Sequence, residues 1–188
     1  TVLRFVRSSK LADRVLVPLE SQLEQLGYVG NVDVNCIVDQ DGTPWPLEFT
    51  MRFGWPAFNI ETDLFSTDPI EFFIALARGE STRGAHRLNE VAVGVVMAIP
   101  PFPNDPKNYD DVVGIPLWGD DEAWHPAEMQ QAAKESSGPN GRDGGRTDRA
   151  QSSSRYSSAG TYLGICVGTG ARVSAAARDS YKKLNEIH

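Results

Sequence analysis

Cysteine is scarce: Cys36 and Cys166 are the two thiols in 188 residues. That leaves no room for a disulfide framework or a cysteine-rich metal cage. Both sit inside apolar, strand-like runs (VNCIV and LGICV), where a small buried hydrophobe is the expected role. Such usage suits a reducing, cytoplasmic setting. No apolar run approaches the length of a membrane span and no signal-peptide pattern is present, so no membrane partner is expected. Basic residues are also few, 18 Lys and Arg against 25 Asp and Glu, for a net charge of −7. A broad nucleic-acid-binding surface needs clustered cations and is therefore not expected, although a local anion site is compatible with any net charge. His125 has no second His or Cys nearby and is read as a surface or satisfied core residue rather than a metal ligand; His86 and His188 are read as without partners. Ser174 lacks the turn that exposes a catalytic nucleophile. No internal repeat is visible. There is no starting Met; Thr1 leads straight into the strand-like VLRFV. The expectation is the C-terminal part of a longer protein whose N-terminal part is missing, with a processed N-terminus as the alternative.

What is present is a clear alternation of periods. Leu11, Val15, Leu19, Leu23 and Leu26 recur at helical spacing after Ser8-Ser9, which predicts a helix over about 10–26 that Pro18 kinks or divides. Asp68-Pro69 opens a short helix through Ala77, with Gly79 beyond its end. EVAVGVVMAI, residues 90–99, reads as a strand stopped by Pro100, Pro101 and Pro103. Thr161 to Val167 reads as another strand, Gly168-Thr169-Gly170 as a turn, and Ser174 to Ile187 as a closing helix. Residues from about 134 to 158 are rich in Ser, Gly, Asp and Arg, which predicts a long mobile loop or a disordered insert.

The segment that speaks to chemistry is 31–56. From Asn31 to Val38 the apolar period is two, with Val32, Val34, Cys36 and Val38 on one side and Asn31, Asp33 and Asn35 on the other. Asp39-Gln40-Asp41-Gly42 is a hairpin turn signal. Leu47 and Phe49 then alternate with Glu48 and Thr50. Pairing Val34 and Cys36 with Leu47 and Phe49 sets Asp33 and Asn35 beside Glu48 and Thr50, and a one-residue slip would drive the acids into the core. Two carboxylates on neighbouring strands suit magnesium, a hard ion that shares its shell with substrate phosphate. Arg52, at the same parity as Glu48, can pair with an oxyanion or phosphate, and Gly54 permits close backbone approach. The plain alternative is that Asp33, Asn35 and Glu48 form the solvated face of an amphipathic hairpin.

Glu48-Phe49-Thr50-Met51-Arg52-Phe53-Gly54-x-Pro56 resembles the Glu-Phe-Asn-x-Arg-Phe-Gly-Asp-Pro-Glu signature of phosphoribosylamine–glycine ligases, members of the ATP-grasp superfamily. Tyr28-x-Gly30, the valine-rich strand at 91–97 and Gly170-x-Arg172-Val173 with its Ala-rich helix extend the resemblance. It implies that Glu48 and Asp33 are metal carboxylates, with Thr50 in place of the usual metal-binding Asn. It also implies that Arg52 is the catalytic arginine near the transferring phosphoryl group, and that Arg52 and Gly54 contact the nucleotide. Trp55 and Ala57 depart from the signature's Asp and Glu.

The resemblance further implies an α+β fold. Residues 1–85 would be the C-terminal part of an ATP-grasp domain, a helix on antiparallel sheet. Residues 86–188 would be a small β-rich domain with a closing helix. The expected function is an ATP-dependent carboxylate–amine ligase of purine biosynthesis, using ATP and Mg2+ or Mn2+. Its expected substrates are an amino acid such as glycine and an amine such as phosphoribosylamine. A ligase for another acid and amine, or a non-catalytic binding module, remains the alternative. The lysines and glycine-rich loop that the superfamily closes over ATP are absent, so this chain alone is expected to be inactive.

Overall fold

The computed structural model describes residues 1–119, 122, 124–131 and 156–188. It is a mixture of helices and antiparallel sheet, as the α+β expectation requires. Its contacts divide it into two compact units, Thr1–Gly94 with Gly168–Asp179, and Val95–Val167 with Ser180–His188. Strand β1 (Val2–Leu3) opens the chain. Ser9 then caps the first helix: its Oγ accepts from the backbone N–H groups of Leu11 and Ala12 at 3.2 and 3.4 Å, satisfying donors that a helix start leaves orphaned. Helix α1 (Lys10–Val15) stops where Pro18 cannot supply an N–H. The chain tightens into a 3₁₀ turn at Val17–Leu19 and resumes as α2 (Glu20–Gln25), so the proline divides the expected helix.

Strands β2 (Asp33–Val38) and β3 (Pro44–Thr50) form the expected hairpin. A short helix, α3 (Ala57–Thr62), follows. Helix α4 (Pro69–Ala77) begins where predicted, with Asp68 Oδ1 accepting from Ile70 N at 2.8 Å. Ile60 and Leu64 are fully buried, and Phe65, Phe72 and Ala85 form a cluster edged by Phe53, Phe73 and Leu76. The hairpin itself is less covered than its pattern implies. Val38, Leu47 and Phe49 are 52%, 65% and 44% exposed, whereas alternation led to the expectation of a buried face.

Strand β4 (Val91–Ala98) and strand β9 (Tyr162–Gly170) lie in a four-stranded sheet ordered β1-β4-β9-β6, where β6 is Trp124–Pro126. Strand β9 runs through Gly168-Thr169-Gly170, so the expected turn there is instead extended sheet. A three-stranded sheet is ordered β5-β8-β7, from Pro116–Leu117, Tyr156–Ser158 and Met129–Gln131. Tyr156–Ser158 is therefore strand, although the polar loop was expected to reach it; residues 132–155 of that loop lie outside the described residues.

In the second unit Met97, Leu117, Trp124 and Cys166 form the core, and burial pushes the Cys166 thiol up to about 11. Buried Ser158 donates to Val112 O at 2.6 Å and accepts from Ile115 N at 2.9 Å, so its hydroxyl is satisfied. The closing helix α5 (Val173–Leu184) is tied to β9 by Ser180 Oγ donating to Cys166 O at 2.9 Å and Lys183 Nζ to Val167 O at 2.7 Å. Among the described residues no helix is long and apolar enough to cross a membrane.

His86 is not partnerless. Its Nε2 lies 3.1 Å from Glu61 Oε1 on α3, and its ring packs on Phe5, Phe65 and Phe72 with centroids 3.6, 4.7 and 5.3 Å away. Burial raises the Glu61 carboxyl to about 7 and lowers the imidazole. The short distance alone would suggest an ion pair, but desolvation of two charges among aromatic rings favours one shared proton and a neutral hydrogen bond. A raised carboxyl pKa stabilises the fold fully below the unfolded value of 4.5. That contribution disappears as pH rises through about 7. The lowered histidine works oppositely, its contribution being lost as pH falls below 6.5 through its folded value. Glu61→Gln keeps a hydrogen-bonding partner without a titrating proton. Chemical denaturation should show the variant gaining on wild type by on the order of 2–3 kcal/mol between pH 4.5 and 7.5. A pH-independent difference would mean that Glu61 stays ionised beside a protonated histidine.

Candidate functional site

The hairpin turn is built by Asp39. Gly42 N donates to Asp39 O at 3.0 Å, and Gly42 adopts φ 78°, which glycine tolerates best. Asp39 Oδ1 accepts from Asp41 N and Thr43 N at 3.0 and 2.8 Å, while Oδ2 accepts from Trp45 Nε1 at 3.0 Å. The Trp45 indole leads these donors in lowering the Asp39 pKa. Asp39 is thus engaged in the turn.

From that turn the strands pair in a register that gathers the acids. Asp33 faces Thr50, Val34 faces Phe49 and Asn35 faces Glu48, as the alternation predicts. One departure follows: the register shifts between Asn35 and Cys36, so Cys36 faces Pro46 and Leu47 is the extra residue of a bulge. Pro46 cannot donate to the ladder, which is why a proline in a strand goes with a bulge or an edge. The bulge separates the pairing of Asp33–Asn35 with Glu48–Thr50 from a second run, Cys36 with Pro46, Ile37 with Trp45 and Val38 with Pro44. Side chains two residues apart on one strand share a face, so Asp33, Asn35, Glu48 and Thr50 lie on one surface of the ribbon. Asp33 and Glu48 are diagonal neighbours there, about 7–8 Å apart between backbones, a spacing that two flexible carboxylates close around one cation. Among the described residues no side chain bonds to these four polar groups.

The exit from β3 is held from behind. Tyr28 Oη donates to Asn31 O at 2.7 Å, and Asn31 Nδ2 donates to Arg52 O at 3.0 Å. The chain then passes Gly54, where an added Cβ would collide with the Asp33 carboxylate. Asp33 therefore rests against bare backbone, which accounts for glycine at this position. Gly54 O accepts from Phe58 N at 2.8 Å and so begins α3. Arg52 is exposed, lies beyond the end of β3 and donates from Nη1 to Phe53 O at 3.0 Å. It forms no ion pair among the described residues.

The donor set is oxygen from carboxylate, hydroxyl and amide, the chemistry of magnesium or manganese rather than of zinc. No group of three or more His, Cys, Asp and Glu gathers among the described residues. A cation here would draw charge from two carboxylates and complete its shell with Thr50, Asn35, water or phosphate. The residues fit that kind of ion, which keeps much of its shell for substrate oxygen. The alternation in 31–50 could not reveal the Glu61–His86 contact. Those residues are 25 apart and are joined only by tertiary packing.

No family model matches the chain. Over 108 residues, 56% of this chain, it is 29% identical to the phosphoribosylamine–glycine ligase of Escherichia coli O157:H7, covering 25% of that protein. It is 31% identical to the one from Ralstonia nicotianae over 116 residues, covering 57% of this chain and 26% of that one. The chain thus spans about a quarter of the length of the curated relatives it matches. Among solved structures, phosphoribosylamine–glycine ligase from Thermotoga maritima matches with a TM-score of 0.68 at 20% identity. That match covers 100% of this chain and 42% of the other. N5-carboxyaminoimidazole ribonucleotide synthetase from the same organism matches with a TM-score of 0.51 at 15% identity, covering 97% of this chain and 43% of its own. In sequence and in fold, the chain resembles the C-terminal part of phosphoribosylamine–glycine ligase.

Proposed function

We propose that this chain carries the metal-binding hairpin of an ATP-dependent carboxylate–amine ligase, with glycine and phosphoribosylamine as the substrates its relatives' name suggests. The observation that carries this is the pairing of Asp33 with Thr50 and Asn35 with Glu48 on one face, with Asp33 lodged against Gly54. In such a ligase a carboxylate oxygen of the acid attacks the γ-phosphorus of ATP and ADP leaves. The amine nitrogen then attacks the acyl carbon, and the bond to phosphate breaks. Magnesium, when bound, would neutralise negative charge on the transferring phosphoryl group. Asp33 and Glu48 would hold the ion, helped by the Thr50 hydroxyl. Gly54 would let phosphate approach the backbone. Arg52 would turn from the Phe53 carbonyl toward the same charge. The two free thiols suit work in a reducing cytoplasm.

A second reading, a binding module without catalysis, draws on one observation. The guanidinium of Arg52 is turned onto its own chain at Phe53 O.

Manganese separates these from an inert hairpin. Titrating Mn2+ into the isotopically labelled chain should selectively broaden the amide signals of residues 33–35 and 48–50. Glu48→Gln should weaken that effect about tenfold, the scale of losing one charged ligand. Equal broadening in both proteins, or none at the hairpin, would remove the metal assignment. Gly54→Ala should also weaken Mn2+ binding, because its methyl displaces the Asp33 carboxylate. The thermal midpoint should fall by only a few degrees, about 1 kcal/mol in a domain of this size. Unaltered Mn2+ affinity in that variant would take Asp33 out of the ligand set.

A further inference from the structure

Helix α3 has 6 residues, too few for its own hydrogen bonds to hold it in place. Its two ends are set by contacts. Where it begins, Phe58 N donates to Gly54 O at 2.8 Å, and the Phe58 ring packs on Phe53 and Phe73 with centroids 5.2 and 5.7 Å away. Toward its end, Glu61 Oε1 meets His86 Nε2 at 3.1 Å. The two sides of that contact are not held equally. His86 is pinned on both flanks, since Ser66 N donates to Ala85 O and Arg87 N to Leu64 O, each at 2.8 Å. Its ring also packs on three phenylalanines. Glu61 hangs from the short helix, so α3 is the side that gives when the contact changes.

Charged groups stand near the pair. Arg87 is tied to Glu90 at 2.9 Å and to Asp63 O. Arg7, Arg83 and Glu80 line the cavity of about 840 Å³ that His86 borders. Arg4 and Glu71 lie next to Phe5 and Phe72 in the chain. Desolvation is nevertheless the one cause that moves either titrating group. A neutral pair suits the aromatic enclosure. A carboxylate that has lost its proton does not, and turning toward water relieves the cost. The Glu61 side chain is 15% exposed, so water lies within reach of that turn.

We propose that the Glu61–His86 contact is a proton-operated latch on the hairpin. With the proton in place, α3 is drawn in and Gly54 stays against the Asp33 carboxylate, where a methyl group would collide. When the proton passes to water, Glu61 turns outward, α3 loosens and Asp33 loses that rest. The latch concerns the shape of the hairpin and stands whether or not a cation binds there.

The test is NMR on the isotopically labelled chain without divalent cation, wild type and Glu61→Gln, from pH 5 to 8. Gln keeps a hydrogen bond and carries no titrating proton. Dividing wild-type hydrogen-exchange rates by those of the variant removes base catalysis and the effect of His86, which both proteins share. At the Phe58 amide this ratio is expected to rise about tenfold per pH unit up to about 7 and then level off, because opening releases one proton. Low urea should leave the Phe58 rate unchanged, the mark of a local opening. The Asp33 and Gly54 amide signals should shift over the same range in wild type and stay fixed in the variant. A ratio at Phe58 that is constant with pH would overturn the latch. So would a Phe58 rate that climbs with urea as the β4 amides do, or Asp33 and Gly54 signals that respond alike in both proteins.

Discussion

The local register of β2 against β3 is the constraint on which the rest of the site depends. Three consecutive cross-strand pairs, Asp33 with Thr50, Val34 with Phe49 and Asn35 with Glu48, place four oxygen-bearing side chains on one face. Beyond them the ladder is interrupted at Leu47. A bulge at that point prevents the pairing from sliding, since a slipped register would have to move the bulge as well. The turn adds a second lock. Asp39 spends both carboxylate oxygens on the loop and on Trp45, so it holds the hairpin closed and is not one of the acids on that face.

The backbone at Gly54 leads from the hairpin to the interior. Gly54 receives the Asp33 carboxylate on one side and starts α3 with its carbonyl on the other. That short helix carries Ile60 and Glu61 inward, toward an aromatic cluster that also encloses His86. A carboxyl and an imidazole in such surroundings are tolerated because each satisfies the other with one proton. The same contact sets His86 in the wall of the arginine-lined cavity, so one small helix links a carboxylate-bearing surface with a cationic one.

The likeness to phosphoribosylamine–glycine ligase is strongest as a statement about fold. At 20% identity the Thermotoga maritima structure covers all of this chain, while the curated relatives are matched over about a quarter of their length. The chemistry proposed for the hairpin therefore rests on its own geometry. Three features support it together: oxygen donors on one face, a glycine against which the Asp33 carboxylate rests, and an arginine within four residues of Glu48. Among the described residues the second unit carries none of these. Its polar groups, Ser158, Ser180 and Lys183, are engaged with backbone carbonyls and so hold sheet and helix together.

Local pattern was enough for much of this. A period of two with a Gly-containing turn sets the hairpin and the face of its acids, because side-chain direction in a strand follows from covalent geometry. Ser9, Asp68 and Pro18 set helix starts and a helix break, because capping and the missing proline N–H act within a few residues. Five things were beyond its reach. The bulge at Leu47 depends on how two proline-containing strands settle against each other. Helix α3 is too short to show a period of its own. The extension of β9 through Gly168–Gly170 comes from the sheet it joins. The Glu61–His86 contact and the arginine-lined cavity join segments distant along the chain, and only packing in three dimensions decides which side chains meet, which are desolvated and which remain open to a ligand.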